Sequence, residues 1–128
     1  MGDVLTRVGG IVVLVCDPAG PPMRTEGDAM DVIAVALGDD AEWVAVPAGR
    51  MGEGFFDLST GIAGQILQKF TSYQRRLVVT GDISAHLARS TALRGLVAEC
   101  NRGRHVWFLD DLDALRSRLE PAAPAPPP

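Results

Sequence analysis

The chemistry open to this chain is concentrated in one stretch, Met51-Gly52-Glu53-Gly54-Phe55-Phe56-Asp57-Leu58-Ser59-Thr60-Gly61. Its glycines would let the backbone approach a ligand closely. A helix beginning near Gly61 would turn unpaired N–H groups toward an anion. Asp57, Ser59 and Thr60 stand where that helix begins. They suit a second, purely structural purpose, because the side-chain oxygen of Asp57 or Ser59 can accept N–H bonds from the first turn. The stretch contains no GxxxxGK[ST], and no GxGxxG follows a strand, so a triphosphate P-loop and a dinucleotide fingerprint are both excluded.

Three further side chains qualify as acids or bases. Asp82 follows an apolar run and is placed to act as an acid, a base or a ligand holder, or simply as the turn residue after Gly81. His86 lies four residues on, just inside a helix, where a nearby carboxylate would let it transfer protons; a solvated surface histidine is the alternative. His105 has no evident partner. Asp110, Asp111 and Asp113 form an acidic cluster of the kind a helix dipole favours at its N-terminus. Nothing nearby supplies further ligands for a divalent metal, so no metal and no cofactor are expected.

The two cysteines, Cys16 and Cys100, form no CxxC pair, which removes zinc and thioredoxin-like chemistry on spacing. They are expected to be unpaired thiols in a reducing compartment, Cys16 at a strand end and Cys100 at a helix end. No Gly-x-Ser-x-Gly elbow occurs, and neither cysteine neighbours a histidine in sequence.

These residues must be positioned by a chain of 128 residues, the length of one ordinary domain, with 47% hydrophobic and 22% charged residues. Such a chain buries enough surface to fold without disulfides or metal. Twelve basic residues stand against sixteen acidic ones, a formal net charge of −4, and the basic ones are scattered apart from Arg75-Arg76 and Arg102/Arg104. That balance argues against nonspecific nucleic-acid binding. The apolar run Ile11 to Val15 is far too short to span a bilayer, and no signal-peptide cleavage pattern follows it, so a cytoplasmic location without membrane attachment is expected.

Two apolar runs, Val4 to Val8 and Ile11 to Val15, flank Gly9-Gly10 and predict a β-hairpin. Thr25 and Asp28 are spaced as a capping box for a helix from about Glu26 to Leu37, which Gly38 ends. Its apolar stripe comprises Met30, Ile33, Ala34 and Leu37, widened by Ala29, Val32 and Ala36. Trp43 to Val46 is a strand, and Pro47 begins a loop through Gly49, Gly52 and Gly54. A second helix spans Gly61 to Phe70, and Leu77 to Thr80 is a strand. A third helix, capped by Ser84, reaches about Cys100. His105 to Leu109 is the last strand, and Asp110 caps a helix bearing Leu112, Leu115 and Leu119. The order β-β-α-β-α-β-α-β-α implies one α/β domain over residues 1–120 on a single mixed, mainly parallel sheet. Residues 121–128 form a Pro/Ala-rich tail, expected to be extended and to add little stability.

The stretch Phe55-Phe56-Asp57-Leu58-Ser59-Thr60-Gly61-Ile62-Ala63-Gly64-Gln65-Ile66-Leu67-Gln68-Lys69-Phe70 resembles the signature of a bacterial family known as domain of unknown function 4180. Arg76-Leu77-Val78-Val79-Thr80-Gly81-Asp82 and the segment from Leu93-Arg94 to Asn101-Arg102-Gly103 are similar to it as well, and the likeness runs from about Ile11 to Leu119. One departure is that the segment after the third strand, usually polar in that family, reads Pro47-Ala48-Gly49 here, with Arg50 the only charge before Glu53. More distantly, the element order is similar to that of STAS-like domains, the fold of anti-sigma-factor antagonists. Those domains carry Asp-Ser-Ser/Thr-Gly-Leu-Gly at the start of the second helix, where a Ser or Thr is phosphorylated. Asp57-Leu58-Ser59-Thr60-Gly61-Ile62-Ala63-Gly64 is similar but longer.

That likeness implies a binding or regulatory domain using Phe55, Phe56, Asp57, Ser59, Thr60, Gly61 and Asp82 as contact or switch surface at the carboxyl rim of the sheet. The alternative is a small cofactor-independent enzyme of specialised metabolism, an isomerase, cyclase or hydrolase. There Asp82, Asp57 or His86 would do acid–base chemistry in a pocket lined by Trp43, Met51, Phe55 and Phe56. The partner is then a protein or a small molecule, and homo-oligomers are compatible with either reading.

Overall fold

The computed structural model describes residues 2–119; the tail expected at Pro121–Pro128 lies outside the described residues. One five-stranded sheet runs in the order β1-β2-β3-β4-β5, the order of the sequence itself. β1 (Val4–Val8) pairs antiparallel with β2 (Ile11–Val15), and β3 (Trp43–Pro47), β4 (Arg76–Thr80) and β5 (Val106–Leu109) follow in parallel. Gly9 and Gly10, with φ of 59° and 82°, supply the left-handed turn that the hairpin needs.

When parallel strands are added in sequence order, right-handed crossovers carry every connecting helix to the same face. The packing agrees. Leu14, Val44, Val46, Leu77, Val79 and Phe108 share one core with Ile33, Phe55, Ile66, Phe70 and Leu93. These come from α1 (Glu26–Gly38), α2 (Ala48–Phe56), α3 (Ile62–Ser72) and α5 (Thr91–Arg102). Alternate side chains point the other way. Val13, Trp43, Ala45, Val78 and Trp107 form a second core, closed by Leu115 of α6 (Leu112–Leu119). Trp43 and Trp107 lie 4.4 Å apart, and the Arg118 guanidinium sits 4.1 Å above the Trp107 ring.

Four expectations need correction. Residues 48–56 are helical rather than a loop, in two short turns joined at Gly52, whose φ is 75°. The glycines cost roughly 1 kcal/mol each against alanine, but burying Met51, Phe55 and Phe56 returns about 1.5–3 kcal/mol apiece, so packing wins. The third helix is broken and is not capped by Ser84: α4 (Ser84–Arg89) starts after Ile83 with no side-chain cap and ends at Ser90, whose extended backbone starts α5. The stripe of α1 centres on Ala29, Ile33 and Ala36, leaving Ala34 and Leu37 exposed. Trp43 points to the second face of the sheet, away from Met51, Phe55 and Phe56, and lines no pocket with them. The capping box at Thr25 and Asp28 is present as expected, and both cysteines are free.

Candidate functional site

β3 and β4 are neighbours and parallel, so Pro47 and Thr80 end at the same rim. From Pro47 the chain enters α2 directly. Its last residues, Phe55 and Phe56, pack edge-to-face at 5.2 Å over the helical core. Asp57 ends α2 and caps the next turn, a 3-10 turn at Leu58–Thr60. Its Oδ1 accepts the Ser59 amide at 3.1 Å and the Ser59 hydroxyl at 2.6 Å. Those two donors hold the Asp57 carboxyl below the usual carboxylate range, the hydroxyl contributing most. Thr60 Oγ1 lies 2.7 Å from Gly54 O and 2.9 Å from Asp57 O, donating to one of them, and accepts Ile62 N–H at 3.2 Å. Gly61, left-handed at φ 78°, then turns the chain into α3, whose start carries no side-chain cap.

From the other side comes α4. The His86 ring stacks on Phe56, 4.2 Å between centroids and 14° from parallel, and Arg89 Nη2 lies 3.4 Å from His86 Nδ1. Between α2 and α4 opens a groove of about 420 Å3, lined by Glu53, Phe56, Asp57, His86, Arg89 and Ser90. This volume falls in the range of small-molecule and peptide-side-chain sites. One element brings two carboxylates to it, the other a guanidinium and an imidazole.

The structure therefore gathers Phe56, Asp57 and His86 from among the residues singled out by sequence. Phe55 and Met51 are buried in the core and do not line this groove; they border a smaller pocket of about 230 Å3 beside Arg24 and Ile62. Ser59 and Thr60 sit behind Asp57, exposed. Asp82 lies outside the groove lining; its Oδ1 accepts Ser84 N–H at 2.9 Å. The hydroxyl and amide of Ser84 hold the Asp82 carboxyl low. Both carboxylates are thus held toward their ionised form by these local donors. Arg89 and Ser90 escaped sequence reading, although His86 and Arg89 stand three apart, the spacing that makes helical neighbours.

A second cleft, about 610 Å3, opens on the other face, where Ala45, Pro47, Thr80 and Leu112 floor it and Asp110 and Asp111 edge it. Asp111, not Asp110 as expected, caps α6: its Oδ1 accepts Ala114 N–H at 2.8 Å, beside the positive end of the helix dipole. Among the described residues no group of His, Cys, Asp and Glu is gathered as metal ligands are, and no helix is long and apolar enough to cross a membrane.

Residues 8–119 match the family model described as Domain of unknown function (DUF4180). The chain belongs to that family. The match takes in every element from the end of β1 to α6, and so the whole groove. Neither the curated proteins nor the solved structures searched contain a match.

Proposed function

We propose that this DUF4180 chain is a binding module of STAS-like character, with its contact surface in the groove between α2 and α4 and its switch at Ser59. One observation carries the reading: Asp57 lines the groove and is at the same time the acceptor for both Ser59 donors. A phosphoryl group on Ser59 would remove the donated O–H and set a charge of about −1.5 to −2 beside the Asp57 carboxylate. Repulsion would open the turn and move a wall of the groove. Thr60 is the poorer switch, because its hydroxyl already bridges Gly54 or Asp57 to Ile62. The groove suits a protein segment that offers opposite charges to Glu53 and Arg89 around a planar or apolar group resting on the Phe56–His86 stack.

The test is photo-crosslinking in cells that make the protein, with the reactive residue replacing Glu53 in the groove or Gln68 on exposed α3. A discrete adduct at position 53 that is lost with Arg89→Glu and with Ser59→Glu supports the reading. Equal labelling from both positions, or adducts indifferent to both changes, counts against it.

The shared placement of His86 and Asp57 favours one alternative, a small cofactor-independent enzyme. Asp57→Asn separates the two, because the amide oxygen still accepts Ser59 but cannot act as a base. The module keeps its adduct, whereas an enzyme using Asp57 loses turnover.

A further inference from the structure

The two edges of the sheet are finished differently. At β5, Asn101 mimics another strand: Phe108 N–H donates to its Oδ1 at 2.8 Å, and its Nδ2 donates to Phe108 O at 3.2 Å. β1 is paired on one side by β2, and among the described residues nothing pairs its other side. In a two-residue hairpin with both glycines left-handed, the closing pair, Val8 and Ile11, exchanges both backbone hydrogen bonds. Alternation gives the same to Thr6–Val13 and Val4–Val15. The N–H and C=O groups of Leu5 and Arg7 therefore point outward, and Asp3 continues that parity. Val4 and Leu5 are 58% and 48% exposed on this edge.

We propose that two copies of this chain pair antiparallel through β1, about a two-fold axis at Leu5, into one ten-stranded sheet. The segment Asp3-Val4-Leu5-Thr6-Arg7 is complementary to its own reverse. With the axis at Leu5, Leu5 meets the partner's Leu5 once, on the axis, while Val4 meets the partner's Thr6 and Asp3 meets the partner's Arg7, each twice by symmetry. Moving the axis to Thr6 would set Leu5 against the partner's Arg7 and bring two Arg7 side chains diagonally together, so charge selects the Leu5 register. Asp3 is already oriented for this. Its Oδ1 accepts Asp17 N–H at 2.8 Å and lies 3.5 Å from Arg50, which anchors the carboxylate at this end of the strand, where the partner's Arg7 would arrive. The groove between α2 and α4 takes no residue from β1, so it stays open in both copies.

Sedimentation equilibrium of the full chain up to about 0.1 mM, where a Kd of about 10 µM gives mostly dimer, should report the mass of two chains. Leu5→Asp and Leu5→Lys each place like charges on the axis and should each sediment as monomers. The half-exposed position leaves the fold intact, as circular dichroism should verify. An equimolar mixture of the two variants should regain the dimer, which a folding defect cannot produce. A wild-type chain that stays monomeric overturns the proposal. So does a dimer that survives Leu5→Asp, or a mixture of folded variants that stays monomeric.

Discussion

Arg50 is the one buried charged side chain among the described residues, and it holds a loop that has no regular structure. Its Nε donates to Pro21 O at 2.8 Å and its Nη1 to Asp17 O at 3.1 Å, while its own carbonyl accepts Met23 N–H at 2.6 Å. Arg50→Ala strands two carbonyls and should cost about 2–4 kcal/mol of unfolding free energy in urea titration. Arg50→Lys should recover little, since one ammonium cannot reproduce the planar fork. A Cβ at Gly20 would stand 2.8 Å from the guanidinium, so Gly20→Ala should cost about 1–3 kcal/mol through the same contact. Beside this loop, burial and then Asp3 push the Cys16 thiol from 9.0 up to about 12. At pH 8 a disulfide reagent should reach the half-buried Cys100 slowly and Cys16 only after unfolding. The folded thiol holds its proton where the unfolded one releases it. Its contribution to stability is thus complete below pH 9.0 and lost as pH rises toward about 12. Cys16→Ala should flatten that alkaline fall.

At the scale of the element, capping decides where α5 begins. Ser90 Oγ accepts Leu93 N–H at 3.0 Å, so Ser90→Ala should cost about 1 kcal/mol in the same titration, and Ser90→Asp should retain most of it. Elements whose signals are local were readable in the sequence. The Gly9-Gly10 hairpin and the Thr25/Asp28 capping box are complete within a few residues. α2 was not readable, because Gly49, Gly52 and Gly54 oppose a helix, and only the core beneath Met51, Phe55 and Phe56 overrides them. The face of Trp43 was hidden for a different reason: Trp43, Val44, Ala45 and Val46 are all buried, and a strand covered on both sides carries no polar residue to mark its outside. The site divides in the same way. Phe56, Asp57 and His86 were visible as residue types. The stacking of His86 on Phe56 joins residues thirty apart in the chain, which no local pattern reveals, and Asp82 is engaged by the Ser84 amide rather than by the groove.

Over the whole molecule, sequential strand order puts α1 to α5 on one side of the sheet and leaves α6 to cover the other. The groove lies within the helical layer, where two short helices meet, so its shape answers to small changes in either. Pro121–Pro128 offers no apolar face by composition, and deleting it should move the melting temperature by less than about 4 °C, the effect of about 1 kcal/mol in a domain this size. We propose that Ser59 controls the groove through Asp57. The most direct measurement compares amide and imidazole NMR shifts of the chain with and without phosphoserine installed at position 59. Displaced signals are expected at Gly54, His86 and Arg89, on two different helices, with β2 to β5 unmoved. Shifts confined to residues 57–62, with the His86 ring signals unchanged, would contradict it.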